Sequence, residues 1–465
     1  MSTDTNKVGT FINPNIFRTY DIRGREARDL TDEVVELIGR AYGTYIEGVE
    51  QALPLQMGGT APKRVTLGRD VRLSSERIRQ ALIKGMTAAG LEVIDIGVVP
   101  TPVLYFSIFH YDTDGGIMIT GSHNPKEYNG FKICKGKETI YGEEIKKIEQ
   151  LIRAGNFVQG KGSVEQRNII DDYVETMKKK IKTKGPKKVV IDPGNGTCGS
   201  IAVKLFEELG CSVECINCEP DGNFPKHLPD PTIPEYMEEL KTRVLEKGAN
   251  FGIGYDGDGD RIGVIDEKGN IIWGDKLLGI YATKILEKYP GAPILFDVKC
   301  SEGLIEYIKQ LGGKPIMWKT GHSLIKAKMK ELNAPIAGEM SGHMFFAENF
   351  GYDDAIFASL KLLEFDKPIG ELASCIPYYY STPEIRVDST DEDKFRIVDE
   401  IKAFFKQHYE VIDIDGVRVK FDGGWGLVRA SNTQPVLVLR FEAKTPERLS
   451  EIQSIIMNKL EEIKR

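Results

Sequence analysis

Three aspartates alternate with glycines in the segment YDGDGDR, residues 255–261. Glycine permits the tight backbone that lets the carboxylates of Asp256, Asp258 and Asp260 converge on one point. Three hard oxygen donors suit Mg²⁺ or Ca²⁺. A calcium EF-hand is excluded, because Arg261 stands where that loop needs glycine and a strand pattern follows. Mg²⁺ takes few protein carboxylates, so the segment predicts a magnesium site with a phosphate partner. A solvated acidic turn is the alternative.

A serine ends an apolar strand in the segment GIMITGSHNPKEYNGFK. Gly121 and the turn 123–125 present the hydroxyl of Ser122. A serine in this place can simply cap a turn. The imidazole of His123, the ammonium of Lys132 and the aspartates elsewhere favour a second role, in which the hydroxyl carries a phosphoryl group.

Two further loops follow apolar strands and offer polar groups for a sugar phosphate. Glu339 and Ser341 can hydrogen-bond sugar hydroxyls, and His322 and His343 can bind hydroxyl or phosphate oxygens. Histidines with a structural role are the alternative at both positions.

A fourth loop carries a guanidinium, two hydroxyls and an amide within five positions: Arg429, Ser431, Asn432 and Thr433. This combination suits a phosphate oxyanion. A turn with an incidental arginine is the alternative.

The elements that position these loops repeat along the chain. One three-element pattern begins at residues 64, 187 and 292. Each copy has an apolar strand that ends near an aspartate, an amphipathic helix closed by glycine and a second strand. Such units predict parallel strand pairs and three similar mixed α/β domains around a central cleft. One large sheet is the alternative. After residue 377, helices and hairpin-like strands with Asp-Gly turns predict a smaller α+β domain.

We expect four domains, each contributing one of the loops above. Their predicted limits are residues 1–167 for the serine loop, 168–270 for the metal-binding loop, 271–378 for the sugar-binding loop and 379–465 for the phosphate-binding loop.

Composition excludes several classes of protein. The chain has 465 residues with 62 basic and 69 acidic side chains, a net charge of −7 that argues against nucleic-acid binding. No apolar run of about 18 residues predicts a membrane span, and the first residues lack the pattern of a secretory signal. Seven scattered cysteines, with Cys211, Cys215 and Cys218 as the one cluster, predict reduced thiols and a cytoplasmic protein. A metal site at that cluster is the alternative.

Taken in order, these loops resemble the α-D-phosphohexomutase superfamily, and within it the phosphomannomutase/phosphoglucomutase branch. The resemblance covers essentially the whole chain. It is carried by the motifs FRTYDIRG (17–24), TGSHNP (120–125), DGDGDR (256–261), GEMSGH (338–343) and RASNTQP (429–435).

The resemblance implies roles for individual residues. Ser122 would be phosphorylated in the resting enzyme and would bind Mg²⁺ together with Asp256, Asp258 and Asp260. The implied groups at the phosphoryl-transfer site are Arg23, Lys132, Arg261 and His322. The implied substrate-binding residues are Tyr20, His123, Lys299, Glu339, Ser341, His343, Arg429, Ser431, Asn432 and Thr433.

The implied activity interconverts hexose 1-phosphates and hexose 6-phosphates of mannose, glucose or both. Ser122 would give its phosphoryl group to the substrate, with hexose 1,6-bisphosphate as intermediate and glucose 1,6-bisphosphate as activator; His322 or Lys132 would be the base. The expected partners are small sugar phosphates, with no nucleic acid or membrane, and a monomer or homodimer is expected. Phosphoglucosamine mutase is one alternative, although Gly121 and Met340 depart from its usual Ala and Gln. A non-catalytic sugar-phosphate sensor is the other.

Overall fold

The computed structural model describes residues 12–48, 62–431 and 435–464 of the chain. These residues form four separate β-sheets, with seven, five, four and six strands in chain order. One large sheet is therefore excluded. The prediction of three similar mixed α/β domains and a different C-terminal domain is confirmed.

Domain 1 is built on a seven-stranded mixed sheet in the order β1-β5-β4-β2-β3-β7, with β6 beside β5. Its strands are β1 (Ile22–Arg25), β2 (Arg64–Arg69), β3 (Glu92–Val98), β4 (Gly115–Ile119), β5 (Tyr128–Lys135), β6 (Glu138–Thr139) and β7 (Ser163–Gln166). Its helices are α1 (Asp32–Ile46), α2 (Ser75–Ala88), α3 (Thr101–Tyr111) and α4 (Glu143–Ala154).

Domain 2 has the strand order β12-β11-β10-β8-β9. In chain order its elements are α5 (Ile170–Lys180), β8 (Lys188–Asp192), α6 (Gly199–Glu208), β9 (Ser212–Cys215), α7 (Glu238–Lys247), β10 (Phe251–Tyr255), β11 (Ile262–Asp266) and β12 (Ile271–Ile272). Cys215, at the end of β9, and Cys218, in the turn that follows, have their Cα atoms 5.9 Å apart.

Domain 3 has the strand order β14-β13-β15-β16. Its elements are α8 (Gly274–Lys288), β13 (Pro293–Asp297), α9 (Glu302–Gln310), β14 (Lys314–Trp318), α10 (His322–Leu332), β15 (Ile336–Gly338), β16 (Met344–Phe346), α11 (Ala355–Lys361) and α12 (Ile369–Ser374). The repeat read from the sequence appears in all three domains as the parallel pairs β2–β3, β8–β9 and β13–β14.

Domain 4 is antiparallel throughout, in the order β17-β22-β21-β20-β19 with β18 also beside β22. Its elements are β17 (Tyr380–Ser381), β18 (Ile385–Asp388), α13 (Asp393–Phe405), β19 (Val411–Ile412), β20 (Val417–Phe421), β21 (Gly424–Ala430), β22 (Val436–Ala443) and α14 (Pro446–Lys464). Apolar side chains of α13, α14 and the sheet form a core of their own.

Helix α3 joins the first three domains. Its sequence TPVLYFSIFHY is apolar on every side, and such a helix is buried all round. Its side chains belong to one continuous apolar cluster with side chains of domains 2 and 3. The N-terminus of α3 consequently lies against the aspartate loop, where the backbone N–H of Thr101 donates to the carbonyl of Asp258 at 2.7 Å.

Among the described helices, none combines the length and the apolar character needed to cross a membrane.

Candidate active site

The three aspartates lie in the connection between β10 and β11. All three side chains are buried, and one carboxylate oxygen from each lies within 4.8 Å of the others. The loop passes Gly259 at a φ of +74°, where a Cβ atom would lie 2.2 Å from the sulfur of Cys198. Glycine is therefore required at this position by conformation and by space.

The carboxylates are not fully neutralised by the protein. Burial, and then the charges of Asp258 and Asp260, raise the pKa of Asp256 well above its usual range. Among the described residues, Oδ1 of Asp258 and Oδ1 of Asp260 have no hydrogen-bond partner. Buried charges of one sign need a counter-charge, so this donor set fits a hard divalent cation.

Lys132 supplies one positive charge to the same place. It lies on β5, and its ammonium donates to Oδ2 of Asp258 at 2.6 Å and to Oδ2 of Asp260. Oδ2 of Asp258 also accepts from the hydroxyl of Thr101 at 2.5 Å. One ammonium against three carboxylates leaves the group negative.

Ser122 lies in the connection between β4 and β5 and is 2% exposed. Its backbone adopts a φ of +50°, which is rare for a residue with a Cβ atom. Its hydroxyl donates to Oδ2 of Asp256 at 2.7 Å and lies 3.1 Å from Nδ1 of His123. We call Ser122, Lys132 and the three aspartates the serine–carboxylate cluster.

Arg72, which the sequence analysis missed, holds the serine loop in place. Its buried guanidinium donates to the carbonyl oxygens of Ser122, Asn124, Pro125 and Tyr128 at 2.6–3.0 Å. Such carbonyls are costly to bury without donors. The sequence offers one weak signal, an arginine two positions after the aspartate that follows β2.

Arg261, at the end of the aspartate loop, contacts domain 3. Its Nε donates to Nε2 of His343 at 3.0 Å, and Nδ1 of that imidazole lies 3.0 Å from Asp353. Asp353 also pairs with Lys326 at 3.0 Å. The sequence analysis missed Asp353, which nothing in its local pattern distinguishes from a turn residue.

Arg23 lies on β1, whose neighbour in the sheet is β5. Its guanidinium donates to Asp21 at 2.6 Å. Arg23 and Lys132 thus project from adjacent strands of one sheet.

His322 begins α10 with its ring centroid 5.8 Å from that of His343. Burial, followed by the charge of Lys326, lowers the pKa of His322 well below its usual range, so the ring is neutral at pH 7. Its Nδ1 has no hydrogen-bond partner among the residues described.

Glu339 and Ser341 lie in the connection between β15 and β16. Glu339 is buried and accepts a hydrogen bond from the backbone N–H of Gly321 at 2.5 Å, while Ser341 is half-buried. The hydroxyl of Tyr20 donates to the carbonyl of Thr320 at 2.7 Å. Residues from domain 1 and from two loops of domain 3 therefore meet here.

Arg429 lies on β21 of domain 4. Its guanidinium pairs with Asp415 at 3.1 Å, and that carboxylate also accepts from the backbone N–H of Thr320 at 3.0 Å. Domain 4 therefore contacts the Tyr20 region through one carboxylate, which the sequence analysis assigned only to an Asp-Gly turn. We call Arg429 to Ser431, with Asp415, the arginine loop.

The remaining predicted residues are placed as follows. Lys299 lies 3.5 Å from Glu384 and 3.9 Å from Asp297. The backbone of Ser431 donates to the carbonyl of Val436. The predicted residues Asn432 and Thr433 lie outside the described residues.

Comparison with known families covers most of the chain. Four models described as phosphoglucomutase/phosphomannomutase match: alpha/beta/alpha domain I over residues 14–159, domain II over 171–269, domain III over 273–376 and the C-terminal domain over 384–459.

Curated relatives extend over nearly the full length. The chain is 45% identical to the phosphomannomutase/phosphoglucomutase of Pseudomonas aeruginosa, covering 97% of this chain and 96% of that protein. It is 42% identical to the phosphoglucomutase of Neisseria gonorrhoeae, covering 95% and 96%. A crystal structure of a family protein from Burkholderia thailandensis superposes with a TM-score of 0.89 at 40% identity, covering 98% of each chain.

Three related α/β domains and a fourth domain around a serine–carboxylate cluster define a phosphohexomutase, an isomerase. The chain belongs to the phosphoglucomutase/phosphomannomutase family.

Proposed function

We propose that this phosphohexomutase interconverts the 1- and 6-phosphates of mannose, glucose or both through a phosphoserine at Ser122. The observation that carries the proposal is the hydrogen bond from the Ser122 hydroxyl to Asp256 within the buried carboxylate group. A serine that only capped a turn would have no need of three buried carboxylates beside it.

In the first step the bond between phosphorus and Oγ of Ser122 breaks, and a bond forms between phosphorus and the free hydroxyl oxygen of the hexose monophosphate. The hydroxyl proton passes to a base, the departing Oγ of Ser122 takes up a proton and becomes the neutral hydroxyl, and the product is a hexose 1,6-bisphosphate. The bisphosphate then reorients in the cleft, so that its other phosphoryl group faces Ser122. That group is transferred to Ser122 by the reverse chemistry. Phosphoryl transfer of this kind depends on positioning and on charge stabilisation.

His322 is our candidate for the base. It is buried and neutral, and its Nδ1 has no hydrogen-bond partner among the described residues. Lys132, the other candidate from the sequence, donates to two carboxylates and is better suited to neutralise charge.

We infer that the metal is Mg²⁺, held by Ser122, Asp256, Asp258 and Asp260. When bound, it would neutralise the carboxylates and the phosphoryl oxygens that face them. Around it, Arg23, Lys132 and Arg261 would stabilise charge on the transferring group, with His123 beside the serine hydroxyl.

The substrate would lie between this cluster and the arginine loop. We propose that Glu339, Ser341 and His343 bind sugar hydroxyls, with Tyr20 and Lys299 as further contacts. The phosphate that is not transferred would bind Arg429, Ser431, Asn432 and Thr433. A guanidinium and loop N–H groups are suited to a phosphate oxyanion.

Other expectations from the sequence remain proposals. They are the domain limits 1–167, 168–270, 271–378 and 379–465, the activator glucose 1,6-bisphosphate, small sugar phosphates as partners without nucleic acid, a monomer or homodimer, and a cytoplasmic location.

The test is an assay of the full chain with glucose 1-phosphate, Mg²⁺ and a catalytic amount of glucose 1,6-bisphosphate. We expect glucose 6-phosphate to accumulate, whereas a sugar-phosphate sensor would bind without turnover. Measuring kcat/KM for the phosphates of mannose, glucose and glucosamine then separates the proposal from a phosphoglucosamine mutase. A preference for glucosamine phosphate would contradict our choice of substrate.

A further inference from the structure

A basic cavity outside the serine–carboxylate cluster lies where the end of α5 in domain 2 meets α8 and α11 of domain 3. Its volume is about 240 Å³. Five of its lining residues are lysines: Lys180, Lys182, Lys284, Lys288 and Lys361. Tyr281, Phe346 and Phe365 provide an apolar floor.

The lining is positive in a protein whose net charge is −7. Five lysines against two glutamates, Glu348 and Glu364, give it a net charge of about +3. A concave surface of one sign focuses the electrostatic potential and attracts counter-ions. The cavity is therefore suited to an anion that carries more than one negative charge.

The positive charges are only partly neutralised by the protein. Lys361 is 9% exposed and pairs with Glu348 at 2.9 Å and Glu364 at 2.5 Å, and Glu348 also lies 3.9 Å from Lys288. Lys182 is exposed; its backbone N–H donates to Glu364 at 3.2 Å, but its ammonium makes no ion pair with any described residue. Among the described residues, the ion-pair partner of Lys284 is Glu287, which lies one helical turn away at 3.1 Å, and an exposed pair of this kind is weak.

Lys180 is half-buried at the end of α5. Its ammonium donates to the side-chain oxygen of Asn349 at 2.8 Å and lies 4.3 Å from the ring centroid of Phe350. A neutral amide and an aromatic face solvate this ammonium without cancelling its charge. Burial lowers its pKa, so an anion nearby would stabilise its charged form.

From these contacts we propose that the cavity is a non-catalytic binding site for a phosphate group, either inorganic phosphate or the phosphate of a small monoester. Ammonium groups contributed by two domains to one cavity suit the several acceptor oxygens of a phosphate dianion. The bound anion would connect the end of α5 to α8 and α11, and so bridge domains 2 and 3.

This site is connected to the aspartate loop by a short chain of hydrogen bonds. Asn349, which accepts from Lys180, donates to Asp354 at 2.8 Å. Asp354 caps the N-terminus of α11, where the next backbone N–H, that of Ala355, donates to the carbonyl of Gly259 at 3.2 Å. The opposite end of the same helix is Lys361 in the cavity wall.

The test counts bound phosphate by equilibrium dialysis of the full chain, with labelled inorganic phosphate in one arm and labelled glycerol 2-phosphate in the other. The variant K182E/K284E reverses two lining charges outside the catalytic groups. The control K179E changes an exposed lysine on α5 that does not line the cavity. Thermal unfolding in phosphate-free buffer checks that all three proteins are folded.

We expect K182E/K284E to bind about one equivalent fewer than the unmodified chain, or to bind it at least tenfold more weakly, while K179E binds as the unmodified chain does. A loss in one arm or in both supports the site and identifies which source it accepts. Equal binding by the double variant in both arms, or an equal loss in K179E, would overturn the proposal. If K182E/K284E loses one equivalent of bound phosphate but retains mutase activity, the loss concerns this cavity and leaves the catalytic proposal untouched.

Discussion

The serine–carboxylate cluster and the arginine loop both handle phosphate in our proposal, yet they are built in opposite ways. In the cluster, acidic groups surround the serine, and two carboxylate oxygens have no hydrogen-bond partner among the described residues. In the loop, Arg429 already pairs with Asp415 before any ligand is considered. The serine–carboxylate cluster therefore needs a cation, whereas the arginine loop already holds the cationic Arg429, whose charge Asp415 balances.

The difference follows from what each region must do. The cluster has to stabilise charge that develops during transfer, which requires groups fixed in advance by buried contacts such as those of Arg72. The loop has to bind and release a phosphate twice in each cycle, so a carboxylate that keeps Arg429 oriented between ligands is useful there. The contact of Asp415 with Thr320 also connects the loop to Tyr20, whose hydroxyl donates to the carbonyl of Thr320.

Replacing Ser122 with alanine should have the largest effect. The donor oxygen is lost, so we expect kcat to fall by about 10³-fold or more, and intact-protein mass spectrometry should detect no phosphoprotein. S163A, on the exposed strand β7, is the matched control and should retain activity. Turnover by S122A close to that of the control would refute the covalent scheme.

Removing the divalent metal tests the role proposed for the serine–carboxylate cluster. Chelation of the divalent metal should abolish turnover, and added Mg²⁺ should restore it. D258N should need more Mg²⁺ for half-maximal activity, by about tenfold or more, because a buried carboxylate ligand is lost. The control D171N changes an exposed carboxylate. Metal-independent turnover would contradict the role of the aspartates.

Replacing Arg429 with alanine tests the role proposed for the arginine loop. Hydrogen bonds to charged groups contribute about 1.5–3 kcal/mol, so we expect KM for the monophosphates to rise by about 10- to 100-fold. R396A, an exposed arginine of the same domain, should leave KM unchanged. An unchanged KM in R429A, or a loss confined to kcat, would contradict the holding role.

The smallest expected effect concerns the support of the aspartate loop. Burial raises the pKa of Asp354 to about 6, above its value in the unfolded chain, so the unfolded chain loses this proton first as pH rises. The contribution of the protonated carboxyl to stability is complete below the unfolded pKa and is lost as pH rises through the folded pKa.

D354N removes this titration and retains a residue that can cap α11. We expect urea unfolding of D354N to show a smaller loss of stability between pH 4 and pH 7 than the unmodified chain shows. D366N, an exposed change, should follow the unmodified chain. Parallel pH profiles for D354N and the unmodified chain would contradict the assignment.

The fold was predictable where short-range patterns repeat. Strands such as β2 and β8 end at or near an aspartate and begin a loop, and the repeat alone indicated three domains with parallel pairs. The aspartates could be placed together because they lie within five positions, and the serine loop was recognisable by its resemblance to known motifs.

Other parts of the site could not be predicted because they depend on long-range contacts. Arg72 lies 50 residues from Ser122 in sequence, and Thr101 lies 157 residues from Asp258. In the sequence, Asp415 is an ordinary residue of an Asp-Gly turn. Its role depends on the contact between domain 4 and Thr320.

Transfer of the phosphoryl group from Ser122 to the sugar is the central claim, and a single-turnover measurement tests it most directly. The enzyme is labelled with hexose 1,6-bisphosphate carrying labelled phosphate, separated from free ligand, and mixed with unlabelled glucose 1-phosphate in the presence of Mg²⁺. We predict that the label leaves the protein at least as fast as the steady-state kcat and appears in hexose bisphosphate and then in glucose 6-phosphate. Label that stays on the protein while glucose 6-phosphate accumulates would contradict the account.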